Sequence, residues 1–297
     1  STFPRVVIKS SHPISPSAVQ TLEDALYELA PSNWSLIVSQ KDGGGNLEGF
    51  FDSAADAHKA QLELESILGN KFEEPFKFDQ LEDKDWKESY KNHFTTWSQG
   101  TIHWVPEWER ESYVIPPGHH ALYVDPGMAF GTGNHETTRL CLESMISICE
   151  KKKVVDCMDI GCGSGILALS ATLLGIGHVK AVDVDPDAIK VSRDNAHLNR
   201  MTKDVDFQIS SLENLEEEKR HDLVLANIQA DILMKNSETL IRQVRTDGFL
   251  VLSGILANEM DELELHFKNQ LSHIGIAFEH CTRKLNEWSA LQIKLSD

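Results

Sequence analysis

Between residues 159 and 165 the chain reads Asp-Ile-Gly-Cys-Gly-Ser-Gly. This stretch follows an apolar run, 154–160, and leads into a helical pattern over 165–174. Glycine at every second position lets a backbone turn sharply and come close to a ligand. A Gly-rich turn joining a strand to a helix belongs to α/β sheets, and the flanking pattern agrees. Strands are expected at 179–184, 205–209, 222–227 and 249–253. Helices are expected at 137–149, 186–199, 231–244 and 258–271. Strands that alternate with helices form a parallel sheet covered on both faces. The chain closes with strands 276–282 and 288–295 and no helix between them, which predicts an antiparallel hairpin added to that sheet.

Residues 1–70 read as a separate, small α+β domain. Val6-Val7-Ile8 has strand character, and Val19, Leu22, Leu26 and Leu29 share one helical face. Strands at 34–38 and around Phe50-Phe51 and a helix over 53–68 complete it. Gly43-Gly44-Gly45-Asn46 reads as a turn. Residues 71–85 read as a linker or hinge, and 86–297 as the main domain. Trp86, Tyr90, Trp97, Trp104 and Trp108 crowd the start of that domain; aromatics bury area, so these are expected to pack an interdomain core.

Four elements carry chemistry. No Lys follows the glycines, so the turn is not a phosphate loop of the G-x-x-x-x-G-K-[ST] kind. The third glycine of a dinucleotide fingerprint is displaced, because Ile166 occupies its position. Asp183 lies 20 residues after Gly163 at the end of the next strand. A carboxylate there can accept both hydroxyls of a ribose, whereas Asp185, just before Pro186, is the better helix cap. Residues 125–138 read Asp-Pro-Gly-Met-Ala-Phe-Gly-Thr-Gly-Asn-His-Glu-Thr-Thr, a structured loop able to fold over a ligand. Within it the Thr138 hydroxyl can meet a ligand or cap the following helix, and His135 reads as a base or a structural group. Asn227-Ile228-Gln229-Ala230 sits at a strand's C-terminal end, where open α/β sheets bind ligands. Asn227 offers both an acceptor and a donor, either to hold an amine or to support a turn.

The charge bears on partners. With 46 acidic and 28 basic residues, the net charge is −18. Such a surface disfavours tight binding to bare nucleic acid; it attracts a basic partner or simply aids solubility. The five cysteines form no C-x-x-C pair, so neither a disulfide framework nor a metal site is expected. A reducing, cytoplasmic setting fits them. No apolar run is long enough to cross a bilayer, no signal-like segment opens the chain, and nothing predicts an oligomer.

Taken together, 125–138, 159–165, Asp183-Val184-Asp185-Pro186 and Asn227-Ile228-Gln229-Ala230 resemble the PrmA family, the bacterial methyltransferases of ribosomal protein L11. Arg193-Asp194-Asn195-Ala196, residues 248–255, Asp85-Trp86 and Trp104 are similar to that family as well. The resemblance is strongest over 80–297, and its Phe-Gly-Thr-Gly-x-His-x-Thr-Thr loop is far more specific than the Gly-rich turn. It implies a Rossmann-like class I methyltransferase sheet and S-adenosyl-L-methionine as cofactor. It implies cofactor contacts at Thr138, Gly161, Gly163, Asp183 and Asn227, with Asn227 also orienting the acceptor amine. It further implies that residues 1–70 recognise ribosomal protein L11, and that Lys ε-amino groups and the N-terminal α-amino group receive the methyls. Gln229 departs from the family's usual Leu and sets a polar side chain near the acceptor. Alternatives are a lysine methyltransferase for another basic protein, a cofactor-binding module without turnover, and a nicotinamide dehydrogenase, which the displaced glycine opposes.

Overall fold

Apolar runs in the second half of the chain are nearly continuous because both faces of its sheet are covered. Cys157, Leu223 and Leu225 belong to one core cluster, while Met158, Val224 and Ala226 belong to the other. Consecutive strand residues point to opposite faces, so a doubly covered sheet needs apolar side chains at every position. The computed structural model describes residues 7–19, 22, 26, 34–38, 44–51, 53–68, 75–81, 95–125, 136–215 and 220–296. The chain divides into two units, Ser1–His93 and Phe94–Asp297.

In the first unit, β1 (Val7–Ile14), β2 (Trp34–Val38), β3 (Gly45–Phe51) and β4 (Lys77–Leu81) form an antiparallel sheet in the order β2-β3-β1-β4. Helix α1 (Ala54–Leu68) joins it. Trp34 meets Phe51 and Phe76 edge-on, with ring centroids 5.2 and 5.6 Å apart. Val19 and Leu22 are buried in the same core and Leu26 packs against it, as the helical spacing predicts; Leu29 lies outside the described residues. Gly45 and Asn46 lie within β3, paired with Ile14 and Pro13, rather than in a turn. Strand β4 falls inside the segment read as linker, and it pairs with β1.

The second unit holds β5 (Trp97–Gln99), β6 (Ile102–Pro106) and β7 (His120–Val124) in a three-stranded sheet. Its main sheet has seven strands: β8 (Asp156–Ile160), β9 (His178–Asp183), β10 (Val205–Ile209), β11 (His221–Asn227), β12 (Val244–Leu256), β13 (Ala277–Leu285) and β14 (Trp288–Ser296). Their order is β10-β9-β8-β11-β12-β14-β13. The first five run parallel, and β14 is antiparallel to both of its neighbours. This is the mostly parallel sheet with a C-terminal hairpin expected from the sequence. The helices are α2 (Glu136–Lys151), α3 (Ile166–Leu173), α4 (Pro186–Leu198), α5 (Ala230–Lys235), α6 (Ser237–Arg242) and α7 (Met260–His273).

Two boundaries differ from expectation. The single helix read over 231–244 is two helices, α5 and α6, and Val244 opens β12. Asn236 causes the break: its backbone leaves helical values (φ −108°, ψ 18°) and its side chain donates back to the Ile232 carbonyl at 2.9 Å. The aromatic segment also packs differently. Trp104 is buried in the second unit's own core and donates its indole N–H to Ser170 Oγ at 2.9 Å, with Trp97 stacked on it at 4.0 Å. Trp86 and Tyr90 lie outside the described residues.

Candidate active site

Asp159, Asp183 and Asn227 stand at or next to the C-terminal ends of β8, β9 and β11, which are neighbours in the sheet. Chain order reverses between β8 and β11: β9 and β10 continue to one side, β11 and β12 to the other. Open α/β sheets bind ligands in the crevice at such a point.

The turn after β8 is shaped by its glycines. Gly161, Gly163 and Gly165 all have positive φ (72°, 52° and 79°). A Cβ on Gly161 would lie 2.5 Å from Ile228 Cγ2, so a side chain there would collide with the segment following Asn227. The Gly161 and Cys162 N–H groups donate to the Val182 carbonyl at 2.8 and 3.1 Å, tying the turn to β9. Gly163 N–H donates to Asp183 Oδ2 at 2.9 Å.

Asp183 also accepts from Asp185 N–H, on Oδ1, at 3.0 Å. A carboxylate offers about four lone-pair sites, so each oxygen keeps capacity for a further donor, as a ribose diol requires. Asp185 instead caps α4, accepting from Asp187 N–H at 2.8 Å ahead of Pro186. Asp185 is thus the helix cap that its place before Pro186 suggested. Val184 and Ile209, which follow Asp183 and end β10, are 68 % and 58 % exposed. The sequence reading passed over this exposed apolar pair at the strand ends, where Ile209 is the register partner of Asp183.

Asn227 donates from Nδ2 to Thr138 Oγ1 at 3.3 Å. Its Oδ1 is buried with no hydrogen-bond partner among the described residues, an acceptor left open to an incoming N–H. Thr138 is fully buried in the first turn of α2, so its hydroxyl serves Asn227 rather than capping the helix. Ser253, opposite Asn227 on β12, donates to the Thr137 carbonyl at 2.8 Å and holds that helix end in place. Ser253 lies in the stretch 248–255 already singled out in the sequence, but this contact was missed, because a Ser in a strand carries no signal of its own. Gln229 precedes α5 as its N-cap residue. His135 and the loop at 126–135 lie outside the described residues.

Asp159 sits beneath the turn, fully buried. It accepts from Ala168 N–H at 3.2 Å on Oδ2, and its Oδ1 has no partner among the described residues. Burial pushes its carboxyl up to about 7; the Ala168 N–H opposes this and the charge on Asp183 adds to it. No group of His, Cys, Asp and Glu able to hold a metal occurs among the described residues.

Comparison with known proteins then places the chain. A family model described as "Ribosomal protein L11 methyltransferase (PrmA)" matches residues 14–296. The ribosomal protein L11 methyltransferase of Pelobacter propionicus is 37 % identical over 253 residues, covering 82 % of this chain and 74 % of that protein. Its counterpart from Vibrio campbellii is 34 % identical over 232 residues, covering 77 % and 76 %. A crystal structure described as ribosomal protein L11 methylase from Lactobacillus delbrueckii subsp. bulgaricus superimposes with a TM-score of 0.60 at 28 % identity, over 69 % of this chain and all of that one.

Proposed function

Because the chain belongs to the ribosomal protein L11 methyltransferase (PrmA) family, we propose that it methylates amino groups of ribosomal protein L11, with S-adenosyl-L-methionine as methyl donor. The observation that carries this reading is the meeting of three features at adjacent strand ends: a glycine turn with no phosphate-binding Lys, a carboxylate with spare acceptor capacity, and a buried amide oxygen with no partner among the described residues.

Thr138, Gly161, Gly163, Asp183 and Asn227 are the residues that would hold the donor. Asp183 accepts from the ribose hydroxyls, Gly161 and Gly163 allow close backbone approach, and Val184 and Ile209 face the base. Bound there, S-adenosyl-L-methionine supplies an activated methyl group for in-line displacement by a neutral amine. Asn227 Oδ1 accepts an N–H of that amine, and Thr138 keeps the amide from rotating. Directing one N–H toward Oδ1 sets the direction of the nitrogen lone pair, and such orientation supplies much of the rate in this class of reaction. Burial at this corner disfavours an ammonium ion, so the acceptor enters uncharged.

Lys ε-amino groups and the N-terminal α-amino group are the acceptors in this reading. Residues 1–70 recognise the basic substrate; β4, within the 71–85 segment read as hinge, pairs with β1 and belongs to the same sheet. The cytoplasm is the compartment that fits free thiols. Among the described residues no helix is long and apolar enough to cross a membrane. The experiment is a competition: labelled methyl donor is offered with purified L11 and an equimolar, equally basic control protein. Label confined to L11 supports the reading; equal labelling of both would favour a general lysine methyltransferase.

A further inference from the structure

Two consecutive carbonyls of the glycine turn are gripped from one face of α4. Ser192 Oγ donates to the Gly163 carbonyl at 2.7 Å, and Asn195 Nδ2 donates to the Ser164 carbonyl at 3.0 Å. Ser192 and Asn195 are both fully buried and, three residues apart, lie on the same side of the helix. Asn195 has a second attachment: its Oδ1 accepts from Asp125 N–H at 2.9 Å, just past the end of β7. One turn further, Asn199 accepts from Tyr123 N–H at 2.8 Å and donates to the Tyr123 carbonyl at 2.6 Å.

Buried amides and hydroxyls are costly unless satisfied, and Asn is a poor helix former because it competes for backbone groups. Here the Asn195 amide is spent on neighbouring segments, and the single Ser192 hydroxyl hydrogen has its shorter contact with the Gly163 carbonyl, at 2.7 Å, against 3.0 Å to the Ala188 carbonyl of its own helix. A peptide unit is planar, so holding the Gly163 carbonyl sets the direction of the Ser164 N–H. Holding the Ser164 carbonyl likewise sets the Gly165 N–H, which closes the turn onto the Cys162 carbonyl at 2.8 Å. The Gly163 N–H that faces Asp183 belongs to the same short arc.

We propose that Ser192 and Asn195 are positioning residues for the cofactor turn: α4 fixes its peptide planes through them, and Asn195 locks it to the end of β7. This rests on the reading of the turn as an S-adenosyl-L-methionine site. Asn199, the residue that ends α4, hydrogen-bonds to Tyr123 on β7 and to its own helix, and to no residue of the turn among the described residues, so it separates turn geometry from general helix anchoring.

The test is calorimetric titration of S-adenosyl-L-methionine into the wild-type protein and the Ser192→Ala, Asn195→Ala, Asn195→Asp and Asn199→Ala variants, with melting curves and steady-state kinetics on L11. The Ser192 and Asn195 variants are expected to bind the donor roughly tenfold more weakly, the scale seen when a supporting residue is removed. Their KM for the donor rises in step while kcat at saturating donor stays within about twofold, the signature of lost uniform binding. Asn195→Asp keeps the acceptor for Asp125 and loses the donor to Ser164, so it weakens binding as well. Asn199→Ala lowers the melting temperature and leaves the Kd unchanged. Wild-type affinity in the Ser192 and Asn195 variants, whatever their melting temperatures, overturns the proposal. So does equal weakening by Asn199→Ala. Ser192→Ala removes one hydroxyl from a small side chain and decides the question if an Asn195 variant fails to fold. A wild-type protein that binds no donor overturns the cofactor reading itself, a distinct result.

Discussion

Asp159 shows how one side chain links this site to stability. In the unfolded chain its carboxyl has an ordinary value near 3.8, and burial raises it to about 7 in the fold. The folded state therefore binds this proton more tightly. Its contribution to stability is fullest below about pH 4, is lost as pH rises toward about 7, and is constant above that. A difference of that size is worth on the order of 4 kcal/mol. Asn cannot ionise, so the stability of Asp159→Asn relative to wild type should improve by a few kcal/mol between pH 4 and pH 8, measured by urea unfolding at each pH. A relative stability that does not change with pH would contradict the buried, raised carboxyl. For Asn227 the expectation is catalytic. Asn227→Ala should keep the fold and lose roughly a hundredfold in kcat/KM, the usual loss for a single orienting group; full retention would remove Asn227 from the mechanism. The strand-end positions of Asp183 and Asn227 were legible in the sequence because both end apolar strands that follow or precede a recognisable turn. The roles of Ser192, Asn195 and Ser253 were not: Asn195 and Ser253 fall in stretches that resemble the family, but each of the three lies inside a regular element and its role depends on which segment the fold brings opposite.

At the scale of elements, continuous apolar runs gave away the strands of the covered sheet, and Pro186 behind Asp185 gave away the start of α4. The helix break at Asn236 was hidden because α5 and α6 together keep a helical pattern across it. Strand β12 was read too short because the polar residues 245–247 follow its first residue, Val244, and its irregularity was invisible. Its register against β14 shifts between Leu252 and Ile255. Within the shift, Gly254 has φ +84°, and a Cβ there would lie 2.6 Å from the Ile228 carbonyl oxygen. The strand bends to admit the segment after Asn227 while Ser253 holds Thr137. Gly254→Ala should therefore cost about 2 kcal/mol or more, from left-handed strain plus backbone collision. It should also weaken donor binding, since Ile228 must shift. Chemical denaturation with an unchanged midpoint would contradict this account of the bulge.

For the whole molecule, the net charge of −18 becomes a kinetic statement once the substrate is a basic protein. Opposite charges speed encounter, and salt screens them over about 10 Å at 0.1 M. Raising ionic strength from about 0.05 M to about 0.5 M should lower kcat/KM for L11 by roughly tenfold, with little change in kcat. A salt-independent kcat/KM would reduce the acidity to a matter of solubility. The most direct test of the central claim is intact-mass spectrometry of ribosomal protein L11 after incubation with this protein and S-adenosyl-L-methionine, followed by peptide mapping. The account predicts mass increments of whole methyl groups that map to Lys side chains and the N-terminus, and that are lost with Asn227→Ala. An L11 mass that stays unchanged while the protein demonstrably binds the donor would contradict it.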